Sequence, residues 1–396
     1  MREVFSARWI IWSCLLLLAG ASTAAVAQTP PAEIPVSPDA LPAGPSLPAF
    51  GEDPGHRLLV NGFGVASYAI DAGTRESSFS GDVLALSLFE SFSDRLSVFA
   101  QLTASREARS PFLADQGAAN DVATDIDNLQ LRWAPSPASG LDVTFGKFDS
   151  PLAIERDDAP LNFQATQSFT FAFARPVKFA GVAVHDVFGP ELEGWAIVAN
   201  GWDVDSDNNR GKTGALYGLW SPSLAAHVGF GVIHGPEKDG TSADPRTTAV
   251  ATLLLQPAES WVAGGETVAG REPHSAAGGG RAAWFAQTLF AHHRCGRFWA
   301  GTLRLDYLDD RDGARTGTRQ VLESITLSPQ FLFGGGFFGV FRYLDHTSLR
   351  LPSLAMRLDL RYDRSTEPVF SGSAGSTEGR GQRGHSSATL QTVFLF

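Results

Sequence analysis

Lysine is almost missing from this chain, which carries it only at Lys147, Lys178, Lys212 and Lys238. Acidic side chains outnumber basic ones, 42 to 31, for a formal net charge of −11. That balance excludes a protein built to hold nucleic-acid phosphates, which needs a basic surface. Cysteine is equally scarce. Cys14 lies in a leader expected to be removed, so Cys295 is left without an intramolecular disulfide partner. No stretch beyond residue 27 offers the roughly 18 successive apolar residues that a spanning helix requires. Also missing are a P-loop, zinc-ligand spacing and a nucleophile elbow. His292 and His293 have no Ser or Asp partner at a recognisable spacing, and the other histidines are scattered singly. These absences argue against an enzyme and imply no cofactor.

What is present begins with a leader. Arg2 and Arg8 precede or flank a short apolar core, Ile10 to Leu18, and Ala25-Val26-Ala27 supplies a small-x-small cleavage site. Residues 1–27 are therefore expected to be a cleaved signal peptide. Residues 28–55, with Pro30, Pro31, Pro35, Pro38, Pro42, Pro45, Pro48 and Pro54, are expected to form a disordered linker. Residues 56–396 are expected to form one barrel.

The texture after His56 is alternation. Leu96 to Thr103, Asn128 to Trp133, Leu141 to Phe145 and Leu354 to Asp363 place apolar and polar residues on opposite faces, the period of a strand. The 41 glycines and 28 phenylalanines do not suit a helical globule. Short turns (Ser93-Asp94, Gly189-Pro190, Ser221 to Ser223) alternate with long polar segments at Arg106 to Thr124, Asp149 to Val177, Asn200 to Gly211, His234 to Pro245, Gly270 to Gly280 and Asp309 to Gly317. This is an antiparallel meander with short periplasmic turns and long extracellular loops. It predicts a closed antiparallel transmembrane β-barrel of about 16 strands, or 18 if residues 331–353 add a hairpin.

At about 16 strands a closed barrel is too wide for its wall side chains to fill, so the lining is expected to be wet and the apolar face to meet lipid. Leu129, Leu131, Trp133, Val143, Phe145, Leu303, Leu305, Tyr307, Leu358, Leu360 and Tyr362 share the expected outer face. Arg132, Arg304, Asp306, Arg357, Asp359, Arg361 and Asp363 share the other and are candidate pore-lining residues. Their alternative reading is a ladder of cross-strand ion pairs worth little individually. The longest loop carries Glu155, Arg156, Asp157 and Asp158, constriction candidates if it folds inward and surface residues if it does not. Asp203, Asp205 and Asp207 begin like a calcium loop. Asn208 and Gly214 stand where that loop needs Gly and Glu, so only a weak ion site or a solvated loop remains.

The chain ends in alternation on Phe394 and Phe396, which resembles the ending of bacterial outer-membrane barrels and implies recognition of the last strand by the barrel-assembly machinery. Several stretches resemble the OmpL-like β-barrel porin family of Gram-negative bacteria. They are Phe145-Gly146-Lys147-Phe148 with Ser150-Pro151, Asn200-Gly201-Trp202-Asp203 with Asp207-Asn208-Asn209 and Lys212, Tyr307 to Gly313, Thr326 to Pro329, and Leu360 to Ser365. The resemblance runs from about Leu129 to Phe396 and implies an outer-membrane pore without naming a solute. The expected function is a porin in the cell outer membrane, in contact with its lipid and admitting small hydrophilic solutes or ions passively. The alternative is a plugged barrel acting as adhesin or structural anchor. Association as a homotrimer is left open.

Overall fold

The computed structural model describes residues 57–106, 122–136, 139–333, 354–370 and 381–396. The expected signal peptide (1–27) and proline-rich linker (28–55) lie outside the described residues. Sixteen strands follow one another around the ring: β1 (Arg57–Asp71), β2 (Ser77–Ser93), β3 (Leu96–Arg106), β4 (Val122–Trp133), β5 (Asp142–Asp149), β6 (Lys178–Gly189), β7 (Leu192–Ala199) and β8 (Thr213–Ser223). The second half comprises β9 (Ala226–Lys238), β10 (Thr241–Ala258), β11 (Trp261–Glu272), β12 (Ala282–Arg294), β13 (Trp299–Asp310), β14 (Gln320–Phe333), β15 (Leu354–Ser365) and β16 (Gly384–Leu395). Each pairs antiparallel with its sequence neighbours, and β1 pairs with β16, so the sheet is a closed barrel. Closure leaves no edge of unpaired backbone groups, as a hydrocarbon surround requires.

The strand period sorts the side chains. On β13, Leu303 and Leu305 point outward and are exposed, while Arg304 between them is only 1% exposed. Leu129, Leu131, Trp133, Phe145, Leu360 and Tyr362 are likewise exposed on the outside. Aromatic rings gather near one rim, where Trp261 stacks on His293 at 4.1 Å and Trp299 meets Phe331 edge-on at 4.8 Å. Toward the other, Phe285 and Tyr307 lie 6.3 Å apart. Two such belts suit the interfaces of a bilayer.

Two sequence expectations change. His234 to Pro245 is not a loop: β9 and β10 run on as a hairpin, with Gly235 opposite Arg246 and Lys238 opposite Thr241. The proline and charges there are tolerated because the pairing slips at a bulge between Thr241 and Pro245. Phe331 to Phe333 belong to β14, which pairs directly with β15 (Phe331 with Met356, Phe333 with Leu354). No strand intervenes between them in the sheet; residues 334–353 lie outside the described set.

The interior departs from a uniformly wet lining. Phe179, Ile197, Leu219, Ile233, Val250, Leu254, Val262, Val268 and Leu308 point inward and are buried in one apolar cluster. The wall alone does not fill so wide a barrel. What covers these residues is the segment between β5 and β6.

Candidate functional site

Residues 150–177 leave the wall after β5 and fold into the lumen before β6 begins. Pro151, Pro160 and Pro176 deny the segment a continuous strand ladder. It forms instead a short 3-10 turn at Ala159–Leu161 and a π-helical turn at Thr170–Ala174. Its apolar side chains Leu152, Ile154, Phe163 and Phe169 join the inward cluster of the wall. Each contributes roughly 1.5–3 kcal/mol of burial. Gly229 on β9 makes room: a Cβ there would stand 3.0 Å from Leu152 Cδ1.

A loop inside a barrel must satisfy its own backbone, and here the wall does so. Arg357 on β15 donates to Asn162 O at 2.6 Å and Ala159 O at 3.1 Å. Gln330 on β14 donates to Phe163 O, and the loop's Gln164 donates back to Thr326 O of the wall. At the far end Trp284 Nε1 donates to Ala174 O at 3.1 Å and Arg315 Nε to Phe173 O. Wall carboxylates accept in return. Asp359 takes the Thr166 amide and hydroxyl at 2.8 and 2.7 Å. Glu266 on β11 takes the Ile154 amide at 3.1 Å and an ion pair from Arg175, both partners nearly sealed from solvent. Contacts on β11, β13 and β15 mean that the loop crosses the lumen.

A second group of charges lies where the loop meets β3 and β4. Lys178 Nζ sits 3.0 Å from Asp127, 2.8 Å from Asp149 and 2.6 Å from Asp157. Asp158 accepts from Gln101 Nε2 at 2.9 Å, and Gln101 accepts from Asn128. Burial, and then the neighbouring Asp157, push the Asp158 carboxyl well above the usual carboxylate range. One oxygen each of Asp127, Asp157 and Asp158 lies within 4.8 Å of the others, a spacing a metal ion could share. The Lys178 ammonium already stands against two of the three.

The sequence-predicted residues divide. Glu155 takes Ser168 N and Arg304 Nη1, each at 2.8 Å, and Arg304 pairs with Asp306 at 2.9 Å. Arg361 pairs with Asp363 at 2.8 Å and donates to Gln167 O at 2.6 Å. Arg156 is turned into the loop, on Ser150 O. Arg304, Asp306, Arg357 and Asp359 point inward, as the strand period requires, but are buried beneath the loop rather than open to water. Arg132 stands apart near the short-turn rim, paired with Asp142 at 2.6 Å beside His185. The calcium-like residues are not brought together. Asp203 accepts the Val177 and Lys178 amides, Asp205 pairs with Lys147, and Asp207 pairs with Lys212. Sequence reasoning missed Gln101, Lys178, Glu266 and Trp284. Inward parity was the only signal for them, and it does not say which inward residues a loop will reach.

The comparisons fit this geometry. Residues 100–396 match the family described as "Putative beta-barrel porin-2, OmpL-like". The chain belongs to that family. No curated protein matches it in sequence. Among solved structures it is similar to an anion-selective porin from Comamonas acidovorans, with 10% identity over 86% of this chain and 100% of that one, at a TM-score of 0.55. It is also similar to the outer membrane channel DcaP of Acinetobacter baumannii (9% identity, 88% and 99% covered, TM-score 0.55). A third is Salmonella typhi OmpF (9%, 86% and 98%, 0.55). At such identities the likeness is one of fold alone. This chain is thus an OmpL-like outer-membrane barrel whose lumen, among the described residues, holds the loop 150–177.

Proposed function

We propose that the protein is a porin admitting small hydrophilic solutes or ions passively, without a cofactor, through a lumen narrowed by loop 150–177. The single observation that carries this reading is the placement of that loop. It packs its apolar side on the β6–β12 wall and turns its charged corner toward β1–β4. There Ala159 of the loop packs against an inward apolar patch that includes Phe63, Val65 and Ala85, while the inward Ser67, Ser80, Thr103 and Ser105 of the same strands are uncharged and half-buried. A passage between an uncharged hydroxyl wall and a charged loop edge suits hydrated solutes and screens them by size and charge. In this reading Glu155 and Asp157 border the passage and Arg132 stands at one mouth. Arg156, Asp158, Arg304, Asp306, Arg357, Asp359, Arg361 and Asp363 shape it from beneath. Handover of the last strand by Phe394 and Phe396 to the barrel-assembly machinery, and association as a homotrimer in outer-membrane lipid, complete the proposal. Chemical cross-linking in native membranes should give a three-chain band.

The test is single-channel recording in planar bilayers from folded, purified protein. Discrete conductance steps are expected; none from correctly folded barrel would overturn the reading. A plugged barrel serving as adhesin or anchor is the second reading, favoured by the apolar side of the loop. It expects silence in the same recording and no swelling of sugar-loaded liposomes.

A further inference from the structure

Three guanidinium groups on the inner wall end on loop carbonyls. We infer that Arg304, Arg357 and Arg361 are positioning residues that hold loop 150–177 across the lumen, and that their charges do not select solutes. The inference deepens the porin reading, on which its electrical readout rests.

Arg357 is fully buried on β15 and uses its two terminal nitrogens on three oxygens: Asn162 O, Ala159 O and Gln391 Oε1. Arg304, 1% exposed on β13, donates to Thr166 O while held between the carboxylates of Glu155 and Asp306. Arg361 donates to Gln167 O, lies 5.0 Å over the Phe169 ring, and is paired with Asp363. The carbonyls of residues 159, 162, 166 and 167 therefore find donors on two neighbouring regions of wall. A loop carbonyl buried inside the barrel without a donor would carry its full desolvation cost. A planar fork with five N–H groups meets two carbonyls at once, which an ammonium on a single flexible stem does not reproduce. Arg304 and Arg361 are met by carboxylates, and Arg357, though its hydrogen-bond partners are neutral, is fully covered, so these charges project little field into the passage. The residues expected from the sequence to set selectivity instead set where the loop lies.

Lysine is the discriminating substitution, because Arg357→Lys keeps the charge and loses the fork. If Arg357 positions the loop, Arg357→Lys and Arg357→Met behave alike. Each buried hydrogen bond lost should raise the released fraction of loop by about tenfold. Single-channel conductance should then rise as the constriction opens, and the reversal potential in a salt gradient should keep its sign. Chymotrypsin, which cannot reach buried Phe163 and Phe169 in the parent protein, should cut there in both variants. The inference is overturned if Arg357→Lys matches the parent, or if Arg357→Met moves only the reversal potential toward cations while Phe163 stays protected. Heat-modifiable migration on gels identifies any variant that has not folded; should Arg357→Met fail, Arg357→Lys carries the test. Were the parent barrel to conduct nothing, the porin reading would fall, and the cleavage pattern would still decide the role of Arg357.

Discussion

Arg175 and Glu266 form the most enclosed ion pair of the loop, with side chains 1% and 3% exposed. Two charges so far from water are tolerable only together; removing one leaves the other uncompensated, at a cost of about 3–5 kcal/mol. Glu266→Gln should therefore release the C-terminal half of the loop while the strands stay paired. Faster chymotryptic cleavage at Phe171 and Phe173 with unchanged far-ultraviolet circular dichroism checks this. Asp158 makes a pH-dependent contribution of definite sign. Burial raises its pKa above the ordinary 3.8, so the folded state holds the proton more tightly than the unfolded chain. Its contribution is fully present below that ordinary value and is lost as pH rises through the raised one. The thermal unfolding midpoint of Asp158→Asn should fall less than the parent's between acid and neutral pH; parallel curves would contradict it.

At the scale of elements, the seam between β1 and β16 combines a backbone and a ring contact. Gly62 and Phe396 exchange both backbone hydrogen bonds, at 2.9 and 3.0 Å. The outward faces of Gly62 and Gly64 are covered by the rings of Phe396 and Phe394: a Cβ on Gly64 would fall 2.0 Å from Phe394 Cζ. Gly64→Val should lower the yield of closed barrel, and Phe394→Ala in the same chain should restore part of it, read as the heat-modifiable fraction after refolding. The strands themselves were legible because period-two alternation reports directly on which face meets lipid. Leu303-Arg304-Leu305-Asp306-Tyr307 needs no tertiary information to be read as a wall strand. Residues 234–245 were not legible. Pro236, Pro245 and the charges between them look like a loop, and only cross-strand register reveals a hairpin.

For the whole molecule, the loop decides how much lumen remains. Replacing residues 152–174 by a short Gly-Ser link should leave the ring closed, since no β1–β16 pairing depends on it. It should also enlarge the channel and expose inward Leu219, Ile233 and Leu254 to water, at roughly 1.5–3 kcal/mol for each large apolar side chain. Larger single-channel steps together with a lower unfolding temperature and binding of an apolar fluorescent dye are expected. Unchanged conductance would place the narrowest point elsewhere.

Alternation and turn spacing are local properties, so the linear chain was enough to specify an antiparallel barrel with greasy residues outside and to set its size near sixteen strands. Whether Asp149 to Val177 lies on the surface or inside the ring was a different kind of question. Its answer depends on Leu152 finding space over Gly229, on Arg357 reaching two carbonyls, and on Glu266 meeting Arg175. Those partners lie far apart along the chain and become neighbours only when the sheet closes. The same closure turned the inward arginines from open lining into contacts beneath a loop, because a side chain's parity is fixed by its own strand but its solvent exposure by what else enters the barrel.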